Sequence, residues 1–188
     1  MTTFLAPVAV GIVLGSLLTG FASHVAAPSA LRDALRQHRT LPRRAVPPVT
    51  LAVPVAEGVL GLAGLVALFG GSRTGVTVVM AASAALFGTY TGYLRHVLAS
   101  GRGGPCGCSR SDVPLSGWAV GRAFTYALLA VAGALLAQAA VPLLTDPAEL
   151  ATVLLAVATF TALLWYWPLA LHNPAHHPAE GDAAPWTS

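Results

Sequence analysis

The chain has 188 residues, 55% hydrophobic and 9% charged, with a mean hydropathy of +0.71. That balance excludes an ordinary soluble domain, about a quarter of whose residues are charged, and describes a polytopic membrane protein with lipid as its solvent. The net charge is +3, every one of the ten basic residues is arginine, and no aromatics interleave with them, which argues against nucleic-acid binding and assigns the arginines to lipid headgroups.

Five apolar runs are long enough to cross about 30 Å of hydrocarbon at about 1.5 Å per residue. The first, Phe4 to Val25, precedes HVAAPSA, whose small residues resemble a signal cleavage site. Its n-region, MTTFLAP, lacks Lys and Arg and the run exceeds an h-region, so it reads as a membrane helix ending at His24. Gly11 and Gly15 in GIVLG, like Gly88 and Gly92 in GTYTG further on, sit at the spacing that lets helix backbones approach closely. Next, APSALRDALRQHRTLPRRAVPP sets Leu31, Leu35 and Leu41 on one side and Arg32, Arg36, Arg39 and Arg43 on the other, which predicts an amphipathic helix on the membrane surface, ended by Pro42, Pro47 and Pro48.

The second run, Val46 to Gly70, carries Glu57 about ten residues in, roughly 15 Å deep. A charge there costs several kcal/mol, so Glu57 should face a polar interior, either as a protonated carboxyl bonded between helices or as a group that handles protons or pairs with a cation. Pro54, one turn earlier, frees a backbone carbonyl for such a cluster. After the turn GGSRTG comes the third run, Val76 to Leu98, ending with Arg95 and His96, and then the loop GRGGPCGCSRSD. The fourth run, Gly117 to Leu144, places Arg122 about five residues in, and the short VPLLTDPAEL leads to the fifth, Ala148 to Leu171, with Trp165, Tyr166 and Trp167 as an interfacial belt. The expected architecture is all-α, a membrane bundle over residues 1–171 with a four-helix core plus one further span. The Pro-, Ala- and His-rich stretch 172–188 is expected to be disordered, with His172, His176 and His177 unordered.

Consecutive spans run in opposite directions, so the surface-helix loop and the cysteine loop share one face of the bilayer. Cys106 and Cys108 are the chain's two cysteines. Residues two apart can meet the Cα separation of about 4.4–6.8 Å that a disulfide needs, with Gly107 absorbing the bend. A small strained ring is readily exchanged, and Arg102 and Arg110 favour the attacking thiolate. A redox dithiol ranks first, with a copper(I) or zinc site and chemically idle cysteines as the alternatives; two thiolates leave a metal's shell unfilled, so no metal is assigned. His24, Arg95, His96 and Arg122 all start from the cysteine face and could join Glu57 in a polar cluster beneath that loop, or the arginines could snorkel to phosphates.

Taken together, HVAAPSAL (His24 to Leu31), Leu41-Pro42, PVAEGVLG (Pro54 to Gly61), Cys106-Gly107-Cys108 and WAVGR (Trp118 to Arg122) resemble the methylamine utilisation protein MauE family, over roughly residues 10–140. That family is a membrane helical bundle similar to DoxX proteins, and the layout also looks like vitamin K epoxide reductase and bacterial DsbB proteins. The family's Lys is His24 here, its Phe is Leu31, the Phe-Gly after the cysteines is Ser109-Arg110 and the Asn after Arg122 is Ala123. The resemblance implies Cys106 and Cys108 as a reactive pair with Glu57 and Arg122 as accompanying polar residues and His24 as a weaker candidate. It implies a factor that matures the disulfide-rich small subunit of methylamine dehydrogenase beside a thioredoxin-like partner. No cofactor is identified in the sequence; a quinone acceptor is compatible with it and unsupported by any residue. Whether the chain is itself a thiol–disulfide oxidoreductase, or a non-catalytic scaffold or soft-metal module, stays open at this level.

Nine of the ten arginines lie on the cysteine face and only Arg73 lies opposite. The positive-inside rule puts that face in the cytoplasm, whereas oxidative folding takes place outside, so two orientations in the cell membrane stand against each other.

Overall fold

The computed structural model describes residues 2–101, 104, 115–140 and 147–171. The elements are α1 (Thr2–Ala26), α2 (Pro28–His38), α3 (Val46–Phe69), α4 (Arg73–Ala99), α5 (Gly117–Leu135), the one-turn α6 (Ala137–Ala140) and α7 (Pro147–Leu171). Among the described residues there is no strand, and five helices (α1, α3, α4, α5 and α7) are long and apolar enough to span a bilayer. The protein is a multi-pass helical membrane protein.

Each helix begins where the local chemistry starts it. Pro28 opens α2 and Pro47 and Pro48 lie in the first turn of α3, positions whose N–H groups have no helical partner to lose. Ser72 caps α4, its Oγ accepting from the Gly75 N–H at 3.1 Å. The surface helix ends at His38, earlier than Pro42, because Arg39 turns left-handed (φ 51°) and breaks the helical path. Pro54 lies inside α3 without ending it.

The spanning helices form a ring in which α1 packs on α3, α3 on α4, α4 on α5 and α5 back on α1, and α7 lies outside against α1. This is a four-helix core with one added span. Its core is apolar, with Val10, Val13, Leu17, Val76 and Met80 fully or nearly fully buried. Lipid-facing positions carry exposed Leu51, Val59, Leu62, Val66 and Leu155, as expected where the solvent is hydrocarbon.

One boundary and one contact differ from the sequence reading. The fourth span ends at Leu135, not Leu144. Residues Ala137–Ala140 form the separate turn α6, and Gln138, expensive in hydrocarbon, sits there at the bundle end, where its Oε1 accepts from Arg73 at 3.3 Å. Residues 141–146 lie outside the described residues. Gly11 and Gly15 do pack closely, their Cα positions facing Val157 and Thr161 of α7, and Gly58, Gly61 and Gly64 of α3 do the same against α1. Gly88 and Gly92, by contrast, have no neighbouring atom within 4 Å of where a Cβ would stand, so the close approach expected there is absent within the described chain.

Candidate functional site

The polar interior is built around Glu57, which is 5% exposed near the middle of α3. Gly20 of α1 lies directly opposite, and a Cβ there would be 3.0 Å from Glu57 Oε2. The missing side chain is what lets the carboxyl group lie against α1. One turn further along α1, His24 Nε2 is 3.6 Å from Oε2, while the Tyr90 hydroxyl of α4 donates to Oε1 at 3.2 Å. Three helices therefore converge on one carboxyl group, and Tyr90 gives its Oε1 a hydrogen bond that lipid could not. Tyr90 is held edge-on by Phe87 (centroids 5.9 Å apart, 86°), and Phe87 in turn packs on Tyr126 of α5 at 5.1 Å.

These groups line a cavity of about 310 Å³ inside the ring, whose wall also includes Ser16, Tyr93, Arg122 and Trp165. Leu31, Ala34, Leu35 and His38 of α2 form its roof, so the apolar face of the amphipathic helix covers the cavity. A second hollow of about 300 Å³ between α1, α2 and α3 shares His24 and Leu31 with the first, and its wall includes Leu51, which is 68% exposed. The two hollows thus lie on either side of His24 and Leu31.

At the roof, His38 is 1% exposed and its Nδ1 stands 3.0 Å from the Tyr93 hydroxyl, which also accepts from Thr40 Oγ1 at 3.1 Å. Gly104, two residues before Cys106, rests on the other edge of that imidazole. A Cβ at Gly104 would be 3.0 Å from His38 Cδ2 and 3.3 Å from Nε2. The Leu115 N–H donates to the Gly104 carbonyl at 2.8 Å, closing the base of the cysteine loop. Cys106 and Cys108 themselves lie outside the described residues, as do His172, His176 and His177 and the rest of 172–188.

Of the polar residues expected to gather beneath that loop, Glu57, His24 and Arg122 do line one cavity. Arg95 and His96 do not join them: both are exposed, because their positions on α4 turn outward while Leu94 and Val97 turn in. Among the described residues Arg122 forms no ion pair with Glu57. Its guanidinium lies 5.1 Å from the Trp165 ring centroid, a cation–π contact that ties α5 to α7. Trp165 accordingly lines the cavity, whereas Tyr166 is 67% exposed. The Trp167 side chain lies outside the described residues. The sequence reading missed His38, Tyr90 and Tyr93. A signal existed: Phe87, Tyr90 and Tyr93 recur every third residue on one helix face, and His38 follows Ala34 and Leu35 at the spacing that continues the apolar face of α2.

An imidazole, a phenol and a carboxyl group in contact can hold a proton and exchange it. The cavity that brings His24, Tyr90 and Glu57 together is roofed by α2, whose His38 is in contact with Gly104. Comparison with curated proteins and with solved structures finds no match. Residues 1–137 match the family model of the methylamine utilisation protein MauE, and the chain belongs to that family.

Proposed function

We propose that this MauE-family membrane protein is a thiol–disulfide factor whose Cys106 and Cys108 cycle between disulfide and dithiol to introduce disulfides into a partner protein. The small subunit of methylamine dehydrogenase is the partner class that the family's name favours. One observation carries the reading: the residue two before Cys106 is seated on buried His38, at the roof of a chamber holding Glu57, His24 and Tyr90. Forming a disulfide from two thiols releases two electrons and two protons, so a chamber able to take up protons beside a dithiol has a chemical use there.

In the forward step a thiolate of the partner attacks one sulfur of the Cys106–Cys108 bond, giving a mixed disulfide and a free thiol on this chain. The partner's second thiolate then displaces the remaining sulfur, leaving the partner oxidised and both cysteines reduced. Reoxidation hands two electrons and two protons to an acceptor, either the disulfide of a thioredoxin-like protein or a membrane quinone. Arg102 and Arg110 favour the thiolate on the loop.

Thiol trapping in membranes tests this, with Cys106→Ser and Cys108→Ser as controls. The expected result is a reductant-sensitive pair in the wild type, a two-dalton mass difference between its oxidised and reduced forms, and mixed-disulfide adducts when one cysteine is replaced. Thiols that stay free under oxidising conditions and co-purify with copper or zinc would replace this reading with a metal-binding one. Variants with wild-type behaviour in partner maturation would leave a scaffold. Labelling the same cysteines with a membrane-impermeant reagent assigns their side of the bilayer; disulfide donation requires the outer one.

A further inference from the structure

A second concavity lies apart from the chamber, where the end of α2 turns into α3. It measures about 780 Å³, is open on one side, and is lined by Arg36, Arg39, Leu41, Arg43 and Val46. Three guanidinium groups of one sign around a hollow repel one another, and among the described residues no carboxyl group lines it or pairs with Arg36 or Arg43. An arrangement of like charges that leaves a space between them is suited to an anion shared by all of them.

The hollow's depth in the membrane names the anion. Val46, buried at its floor, is the first residue of α3, and the 24 residues of that helix reach about 36 Å, more than the hydrocarbon thickness of about 30 Å. The start of α3 therefore lies at headgroup level, where phosphates are. The N-terminal end of the helix dipole adds positive potential there. The floor is apolar, with Leu41 and Val46, and lipid-facing Leu51, Val55 and Val59 descend α3 from that end, offering acyl chains a continuous surface. Arg39 is carried at the turn by a left-handed backbone that non-glycine residues rarely adopt, which keeps its side chain on the rim beside Arg36 and Arg43.

We infer that this arginine-lined hollow is a binding site for the phosphodiester headgroup of an anionic phospholipid, held by Arg36 and Arg43. Guanidinium forks match two phosphate oxygens each, which a diffuse field of headgroups would not require. The site is independent of the cysteine chemistry. It gives the roof helix α2 a lipid anchor and makes the cover of the Glu57 chamber sensitive to bilayer composition.

The test is native mass spectrometry of the full chain released from nanodiscs made of equal parts phosphatidylglycerol and phosphatidylcholine. Wild type should retain phosphatidylglycerol preferentially. A charge-assisted guanidinium–phosphate fork is worth at least about tenfold, so Arg36→Gln with Arg43→Gln should lower the preference by about 100-fold. Arg32→Gln with Arg44→Gln, which changes the same net charge outside the hollow, should lower it far less. Should the glutamine pair fail to fold, Arg36→Lys with Arg43→Lys keeps the charge but removes the forks and should still lose most of the preference. Equal retention of both lipids by the wild type, or equal loss in the two glutamine pairs, overturns the site. Binding of inorganic phosphate to the lipid-free protein in detergent, abolished by the Arg36 and Arg43 changes, would overturn the lipid as its source.

Discussion

Replacing Gly64 by alanine sets the helix ring against its own packing. An added Cβ at Gly64 would overlap Leu14 Cδ2 and stand 3.2 Å from Val79 Cγ1. Leu14 is 2% exposed and Val79 7%, so neither has free space to retreat into. The extra methyl forces the buried Leu14 side chain off its rotamer or moves α1 or α4 away from α3, which in well-packed interiors costs about 1–3 kcal/mol. Gly88→Ala supplies the reference, because nothing lies within 4 Å of its added Cβ. Both substitutions gain the same helix propensity, up to about 1 kcal/mol, so the difference between them isolates the packing cost. Gly88→Ala should therefore be neutral or stabilising, and Gly64→Ala less stable than Gly88→Ala by about 1–3 kcal/mol. At about 2–4 °C per kcal/mol for a chain of this size, the two midpoints should differ by several degrees. Thermal unfolding in one detergent, followed by helical circular dichroism, measures both. A Gly64→Ala protein as stable as the Gly88→Ala protein would refute the α1–α3–α4 packing described above, whatever its effect relative to wild type.

Tyr90→Phe removes the donor to Glu57 Oε1 while keeping the ring against Phe87, and should lower unfolding stability by about 1–3 kcal/mol. In the Glu57→Gln background the same change should cost measurably less; equal costs in both backgrounds would show that the contact is not coupled. Arg122→Gln removes the cation over Trp165, worth about 0.5–2 kcal/mol, and should alter Trp fluorescence and the protease susceptibility of α7, effects that Arg95→Gln on the outer face of α4 should not reproduce.

Glu57 shows how far the linear sequence reaches into the site. An acid in the middle of an apolar run must face a polar interior, whichever neighbours it finds, because the cost of placing it in lipid belongs to that one residue. The five spans, the amphipathic α2 and the shared face of His24, Arg122 and the cysteine loop follow from the same kind of reasoning, since hydrocarbon thickness and residue polarity act on each segment separately. Arg95 and His96 mark the limit. They lie at the correct depth and on the correct face of the membrane, yet a rotation of about 100° per residue around α4 turns them away from the chamber and turns Leu94 and Val97 in.

What the sequence by itself determined was thus the number of crossings, the surface helix and the need for a partnered carboxyl group. Tertiary structure alone decided that Tyr90 and His24 are that group's partners, that Arg122 bonds to Trp165 and not to Glu57, and that His38 supports the base of the cysteine loop. It also decided which glycines lie in contacts: Gly64 does and Gly88 does not, although both sit in apolar helices. The division has one cause. Insertion into lipid is a property of single segments and is written in composition and period, whereas helices already in lipid gain nothing hydrophobic by associating, so their neighbours are selected by the fit of particular side chains across an interface.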